Sequence, residues 1–136
     1  MRKLVFFFII VFCIIPLYGQ KKKSVQSHKI KSTTVYNSDF EDNNGKQVKE
    51  SFERFDESGN SVEEIDYDKK GIEENHILSE YDDDGNKTKE TFLKENGSKE
   101  KIIEYKYKDG LKTERTVYLA NGKIKSKKKY VYEFQK

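Results

Sequence analysis

The 136-residue sequence has no tryptophan, one proline and one cysteine, and Cys13 and Pro16 both fall in its first 16 residues. The body of the chain therefore has no material for a disulfide scaffold, a thiolate nucleophile or a zinc–sulfur cluster. No long apolar run follows Tyr18, which excludes a polytopic membrane protein built from helices. Apolar residues are scarce overall, at 34% against 38% charged, which is lean for an ordinary globular core. A disordered chain fits no better. Aromatic residues reach 13%, and without Arg2 and Lys3 the balance is 25 basic against 24 acidic residues, a net charge of +1.

The apolar residues that do exist begin with an address. Met1-Arg2-Lys3 is a positive start, Leu4 to Ile15 is unbroken and apolar, and Pro16-Leu17-Tyr18-Gly19-Gln20 leads into polar sequence, the order of a secretory signal peptide. From Leu4 to Tyr18 a helix would reach about 22 Å, short of a hydrocarbon core of about 30 Å. The expected cut follows Gly19, giving a signal peptide over 1–19, with an uncleaved amino-terminal anchor as the alternative. Residues 20–34, rich in Lys, Ser and Gln, read as a flexible polar leader, and 35–136 as the folded domain.

That domain is punctuated by glycine. Gly45, Gly59, Gly71, Gly85, Gly97, Gly110 and Gly122 are separated by 14, 12, 14, 12, 13 and 12 residues. Five are preceded by Asn or Asp, the pairs that favour type I′ hairpin turns. The segments between them carry Val, Ile, Thr, Tyr and Phe and leave no room for crossover helices. The expected fold is all-β: an antiparallel meander of about eight strands built from glycine-turn hairpin repeats. A two-residue turn at Asp109-Gly110 sets Glu104 opposite Arg115 and Ile102 opposite Val117. On the other face it sets Tyr105 opposite Glu114 and Lys101 opposite Tyr118. The same rule at Asn121-Gly122 sets Leu119 opposite Ile124 and Arg115 opposite Lys128. One face should then collect the aliphatic residues, and the other Tyr105, Tyr107 and Tyr118 with lysines.

Several of these units resemble known repeats. Tyr81-Asp82-Asp83-Asp84-Gly85-Asn86, Phe55-Asp56-Glu57-Ser58-Gly59-Asn60 and Tyr67-Asp68-Lys69-Lys70-Gly71 resemble the YD repeat of Rhs-type proteins. Tyr118-Leu119-Ala120-Asn121-Gly122-Lys123-Ile124-Lys125 resembles the MORN-like unit of bacterial YwqK-type antitoxin proteins, and Phe40 to Lys46 is a looser copy. The resemblance implies exported β-hairpin arrays used as shells, spacers or interaction surfaces. With about 116 residues after the signal, too few strands are present to enclose another domain.

Catalytic chemistry has little to work with. His28 and His76 are the two histidines, the first in the leader and the second reading as a polar cross-strand neighbour. No serine or threonine carries a nucleophile signature. The run Asp82-Asp83-Asp84 lacks the final acidic ligand of a calcium loop, since Thr91 stands there, and reads as a turn. No cofactor and no metal site are expected.

Charge is distributed unevenly. Residues 37–100 hold 9 basic and 20 acidic side chains, whereas 101–136 hold 11 basic and 4 acidic. The lysines of 125–129 read as protection of a terminal strand. Nucleic acid is a poor partner for an exported chain without a recognised nucleic-acid module. The expected function is that of an exported, non-enzymatic interaction module, periplasmic or extracellular in a bacterium, with no membrane span once the signal is removed. Binding of a polysaccharide through Tyr105, Tyr107 and Tyr118 with Lys101 and Lys125 is one alternative. Toxin neutralisation, implied by the second resemblance, is another. Partners would be a protein, a polysaccharide or a second copy associating through the sheet faces or edges.

Overall fold

A computed structural model describes residues 17–41 and 44–135, so the expected signal peptide lies largely outside the described residues. One helix, α1 (Leu17–Ser27), precedes eight strands: β1 (Ser32–Ser38), β2 (Gln47–Phe55), β3 (Ser61–Tyr67), β4 (Glu73–Tyr81), β5 (Lys87–Leu93), β6 (Lys99–Lys108), β7 (Leu111–Leu119) and β8 (Ile124–Lys129). They form a single sheet in sequence order, every neighbouring pair antiparallel. Among the described residues, the strands contact chiefly their sequence neighbours and the sheet has no second layer beyond α1 at its β2–β3 end. Burial is correspondingly thin. Val25, Phe55, Ile103 and Val117 are the buried apolar side chains among the described residues.

The turns differ from the expected two-residue type I′ form. At Asp56 to Asn60 the Gly59 N–H bonds the Asp56 carbonyl at 3.0 Å, and Asp56 N–H bonds the Asn60 carbonyl at 3.0 Å. This is a three-residue loop, a type I turn closed by a glycine at φ +73°. The same backbone pair closes Asp68 to Ile72, Asp82 to Asn86, Lys94 to Ser98 and Leu119 to Lys123. The aspartates also hold their turns from the side chain. Asp82 accepts the Asn86 backbone N–H at 2.8 Å and its side-chain amide at 3.1 Å, which engages both carboxylate oxygens within the turn. The two-residue form occurs at Asp109-Gly110, where both φ angles are positive and Lys108 stands opposite Leu111.

Each of the seven hairpins contains one surplus residue on its second strand: Glu50, Val62, Glu74, Thr88, Glu100, Thr113 and Lys125. These bulges correct the expected register. After Tyr107 pairs with Lys112, Thr113 is passed over, so Lys106 faces Glu114, Tyr105 faces Arg115, Ile103 faces Val117 and Ile102 faces Tyr118. A slip of one residue exchanges the faces, so Ile102 and Val117 lie on opposite sides rather than together. In the last hairpin the odd loop and the bulge cancel. Arg115 does stand opposite Lys128, whereas next to the turn Ile124 meets Tyr118 instead of Leu119.

The expected flexible leader is corrected as well. Residues 17–27 are helical and the sheet begins at Ser32 rather than 35. Lys and Gln are good helix formers, and Val25 supplies an apolar contact that the composition conceals. Ile30 N–H bonds the Val25 carbonyl and Lys29 N–H that of Gln26, with Lys29 at φ 51°, which is a Schellman cap. The helix sits on the β2–β3 turn: Lys22 Nζ donates to Asn60 Oδ1 at 2.7 Å, and Val25 is 5% exposed.

Glycine substitutions measure this docking. Gly97→Ala meets nothing within 4 Å and should cost about 1–2 kcal/mol, from left-handed backbone strain alone. Gly59→Ala carries the same strain and places a Cβ 2.9 Å from the Lys22 carbonyl oxygen, so it should cost more and displace α1. Chemical denaturation of the two variants side by side tests this; equal losses would mean that α1 does not bear on the turn.

Candidate functional site

Side-chain alternation and the observed register define two faces. On the α1 side, one cross-strand row runs Thr33, Glu53, Glu64, Ile77, Phe92, Lys101, Leu119, and the next includes Ser79, Glu90, Ile103 and Val117. On the far side a row runs Arg54, Glu63, Leu78, Thr91, Ile102, Tyr118, Ile124.

The α1 side carries a band of aromatic rings and lysines along one end of the sheet. Phe55 and Tyr81 close β2 and β4, Tyr107 is the penultimate residue of β6, and the three pair with Ser61, Lys87 and Lys112 of the next strand. Lys87 Nζ lies 5.8 Å from the centre of the Tyr81 ring, and Lys112 Nζ 5.9 Å from Tyr107 and 4.3 Å from Tyr105. Phe55 has only Ser61 opposite, and there α1 supplies the cation: Lys21 Nζ lies 5.8 Å above the ring and pairs with Glu53. The tyrosine hydroxyls fasten the same end. Tyr81 donates to the Ser61 carbonyl at 2.9 Å, Tyr107 to that of Lys87 at 3.0 Å and Tyr132 to that of Lys112 at 2.7 Å, each 20 residues back.

Glu90 is the hub between these rings. Lys87 Nζ donates to its Oε1 at 3.0 Å and the Tyr105 hydroxyl to its Oε2 at 2.5 Å. Burial pushes the carboxyl up, but these two hydrogen bonds and the Lys87 charge outweigh it and hold Glu90 below its ordinary value. Burial and then the Glu90 bond raise Tyr105, which keeps the phenol a donor at neutral pH.

The far side has its own charged group. His76 Nε2 lies 2.9 Å from Glu63 Oε1 and Nδ1 3.2 Å from Glu73 Oε1, while Arg54 Nε donates to Glu63 Oε2 at 2.8 Å. The Arg54 hydrogen bond is the main cause that lowers Glu63. Both imidazole nitrogens are thus engaged by carboxylates.

Of the residues singled out from sequence, Tyr105, Tyr107 and Lys101 share the α1 side. Lys101 lies over Phe92 at 4.1 Å rather than beside the tyrosines. Tyr118 is on the far side between Ile102 and Ile124, and Lys125 is the exposed bulge residue of β8. The five do not form one site. Tyr81, Lys87, Glu90 and Lys112 were missed, although the recurrence of an aromatic residue three or four positions before Gly59, Gly85 and Gly110 marks Tyr81 beside Tyr107. No protein-family model matches the chain, and no curated protein matches it either.

The Glu90 hub has a pH signature. Because its folded-state value is depressed, its stabilisation is fully present above about 4.5 and is lost as pH falls through the folded value. Glu90→Gln should therefore be less stable than wild type at pH 7, with the gap in melting temperature closing as the pH drops below about 4. A gap independent of pH would show that the carboxylate charge contributes nothing.

Proposed function

We propose that the chain is an exported, non-enzymatic β-repeat protein whose open sheet serves as an interaction surface. The observation that carries this is the aromatic and lysine band: a row of rings and ammonium groups on the α1 side of the sheet, in which Glu90 is engaged by Lys87 and Tyr105, and Glu53 by Lys21. Such a band suits recognition by contact and charge, and offers no enclosed reaction chamber. The resemblance of its turn units to YD and MORN-like repeats points the same way, and with it the toxin-neutralising alternative.

A polysaccharide remains the second reading, favoured by one feature. Tyr81 with Lys87 and Tyr107 with Lys112 repeat every second strand, about 9.6 Å apart, so a polymer of repeating units could meet the same chemistry more than once. Lysines over the rings favour a polymer bearing acidic groups over one that stacks on bare ring faces.

Two outcomes are expected. After expression of the full chain in a bacterium, the exported fraction should contain a product beginning at Gln20, and retention of the whole chain in the inner membrane would contradict export with cleavage. On a glycan array, binding should be confined to acidic polymers and weakened by Lys112→Ala but not by Tyr118→Ala, which lies on the far face. Binding lost with Tyr118→Ala and kept with Lys112→Ala would place recognition elsewhere.

A further inference from the structure

We propose that the open edge of β8 is a docking edge for an extended acidic peptide, which adds to the sheet as a ninth antiparallel strand. The backbone geometry comes first. Tyr130 N–H bonds the Thr113 carbonyl at 3.0 Å, so this pair exchanges its hydrogen bonds with β7. Antiparallel alternation then turns the N–H and C=O groups of Lys127 and Lys129 away from β7, toward the open edge. A second extended backbone matches both kinds of group in that spacing.

Charge selects the occupant. In the interior of the sheet, Lys89 and Lys87 each have a carboxylate of their own, Glu80 at 2.9 Å and Glu90 at 3.0 Å. At the edge one carboxylate serves several cations. Glu114 receives Lys106 at 3.2 Å and Lys127 at 3.3 Å, whose hydrogen bonds lower its own value, and it also stands opposite Lys129. On the other face Lys128 stands opposite Arg115, a like-charge pair. Every residue of β8 is exposed. A strand with carboxylates opposite Lys127 and Lys129 supplies the missing acid and continues the cross-strand pattern of the interior. The same lysines repel a second β8 and give a neutral strand no ionic partner, so edge protection and selection of an acidic strand are one property. The adjoining residues add apolar contact: Ile124 is 58% exposed and Val131 82%.

The test uses the purified protein expressed as the full chain and the peptide (Thr-Glu)4, with (Thr-Lys)4 and a (Thr-Glu)4 N-methylated at alternate amides as controls. Dextran sulfate and phosphatidylglycerol vesicles serve as anionic probes without a peptide strand. Binding is followed together with amide hydrogen exchange. The expected result is that (Thr-Glu)4 alone slows exchange at Lys127 and Lys129, and that Lys129→Glu weakens its binding about fivefold while the Ile103 amide stays protected. Failure of (Thr-Glu)4 to bind overturns the proposal. So does equal binding of the N-methylated peptide, or binding of dextran sulfate or vesicles that competes fully with the peptide, since either means charge attraction without strand addition.

Discussion

Each hairpin has one residue more on its second strand than on its first, and the side-chain neighbourhoods of the whole sheet follow from that surplus. In a protein with a packed core, a register error is resisted by the volume of the interior. Here, among the described residues, the strands meet chiefly their sequence neighbours, and stability comes largely from cross-strand contacts worth about 0.2–1 kcal/mol each. Which contacts exist depends on register alone. The bulge at Thr113 brings Ile103 against Val117, two of the buried apolar side chains, and Tyr105 against Arg115 beside Glu90. Without it those residues would sit on opposite faces; the Glu90 hub, which joins β5 to β6, rests in the same way on the β5–β6 register with its surplus residue Glu100.

The bulges also organise the sheet into two-strand units. Gly59, Gly85 and Gly110 recur at 26 and 25 residues and mark one end of the sheet. At that end an aromatic residue stands at or next to the end of β2, β4 and β6, and a lysine of the next strand lies over Tyr81 and Tyr107. Such an array has ends, and ends need covering. At the first unit the lysine position is Ser61, and α1 fills the gap with Lys21 above Phe55 and Val25 buried nearby. At the other end β8 is left open, its lysines more numerous than the acids that face them.

Much of this was legible in the amino-acid sequence and some was not. The glycine series disclosed the meander and the strand count, because no helix fits into 12 to 14 residues. It also held a finer signal: the spacing from Gly97 to Gly110 is 13 where its counterparts are 14, and that missing residue marks the two-residue turn at Asp109-Gly110. The bulges were not legible. A surplus Thr or Glu in a strand looks like any other strand residue, and whether it is passed over depends on pairing that spacing does not encode. That is why Tyr105 and Tyr118 were grouped on one face and are found on two. The helix was hidden for a different reason, since Lys, Gln and Ser serve a solvated helix and a disordered leader equally well, and Val25 is one apolar residue among charged neighbours.

The bulged register is the claim on which the faces, the aromatic band and the outward amides of β8 all depend. Cross-strand nuclear Overhauser contacts between β6 and β7 test it directly, in protein labelled for backbone and methyl resonances. Contacts joining Ile103 to Val117 and Tyr105 to Arg115 are expected. Contacts joining Ile102 to Val117 and Glu104 to Arg115 would contradict the bulge at Thr113 and with it the assignment of residues to faces.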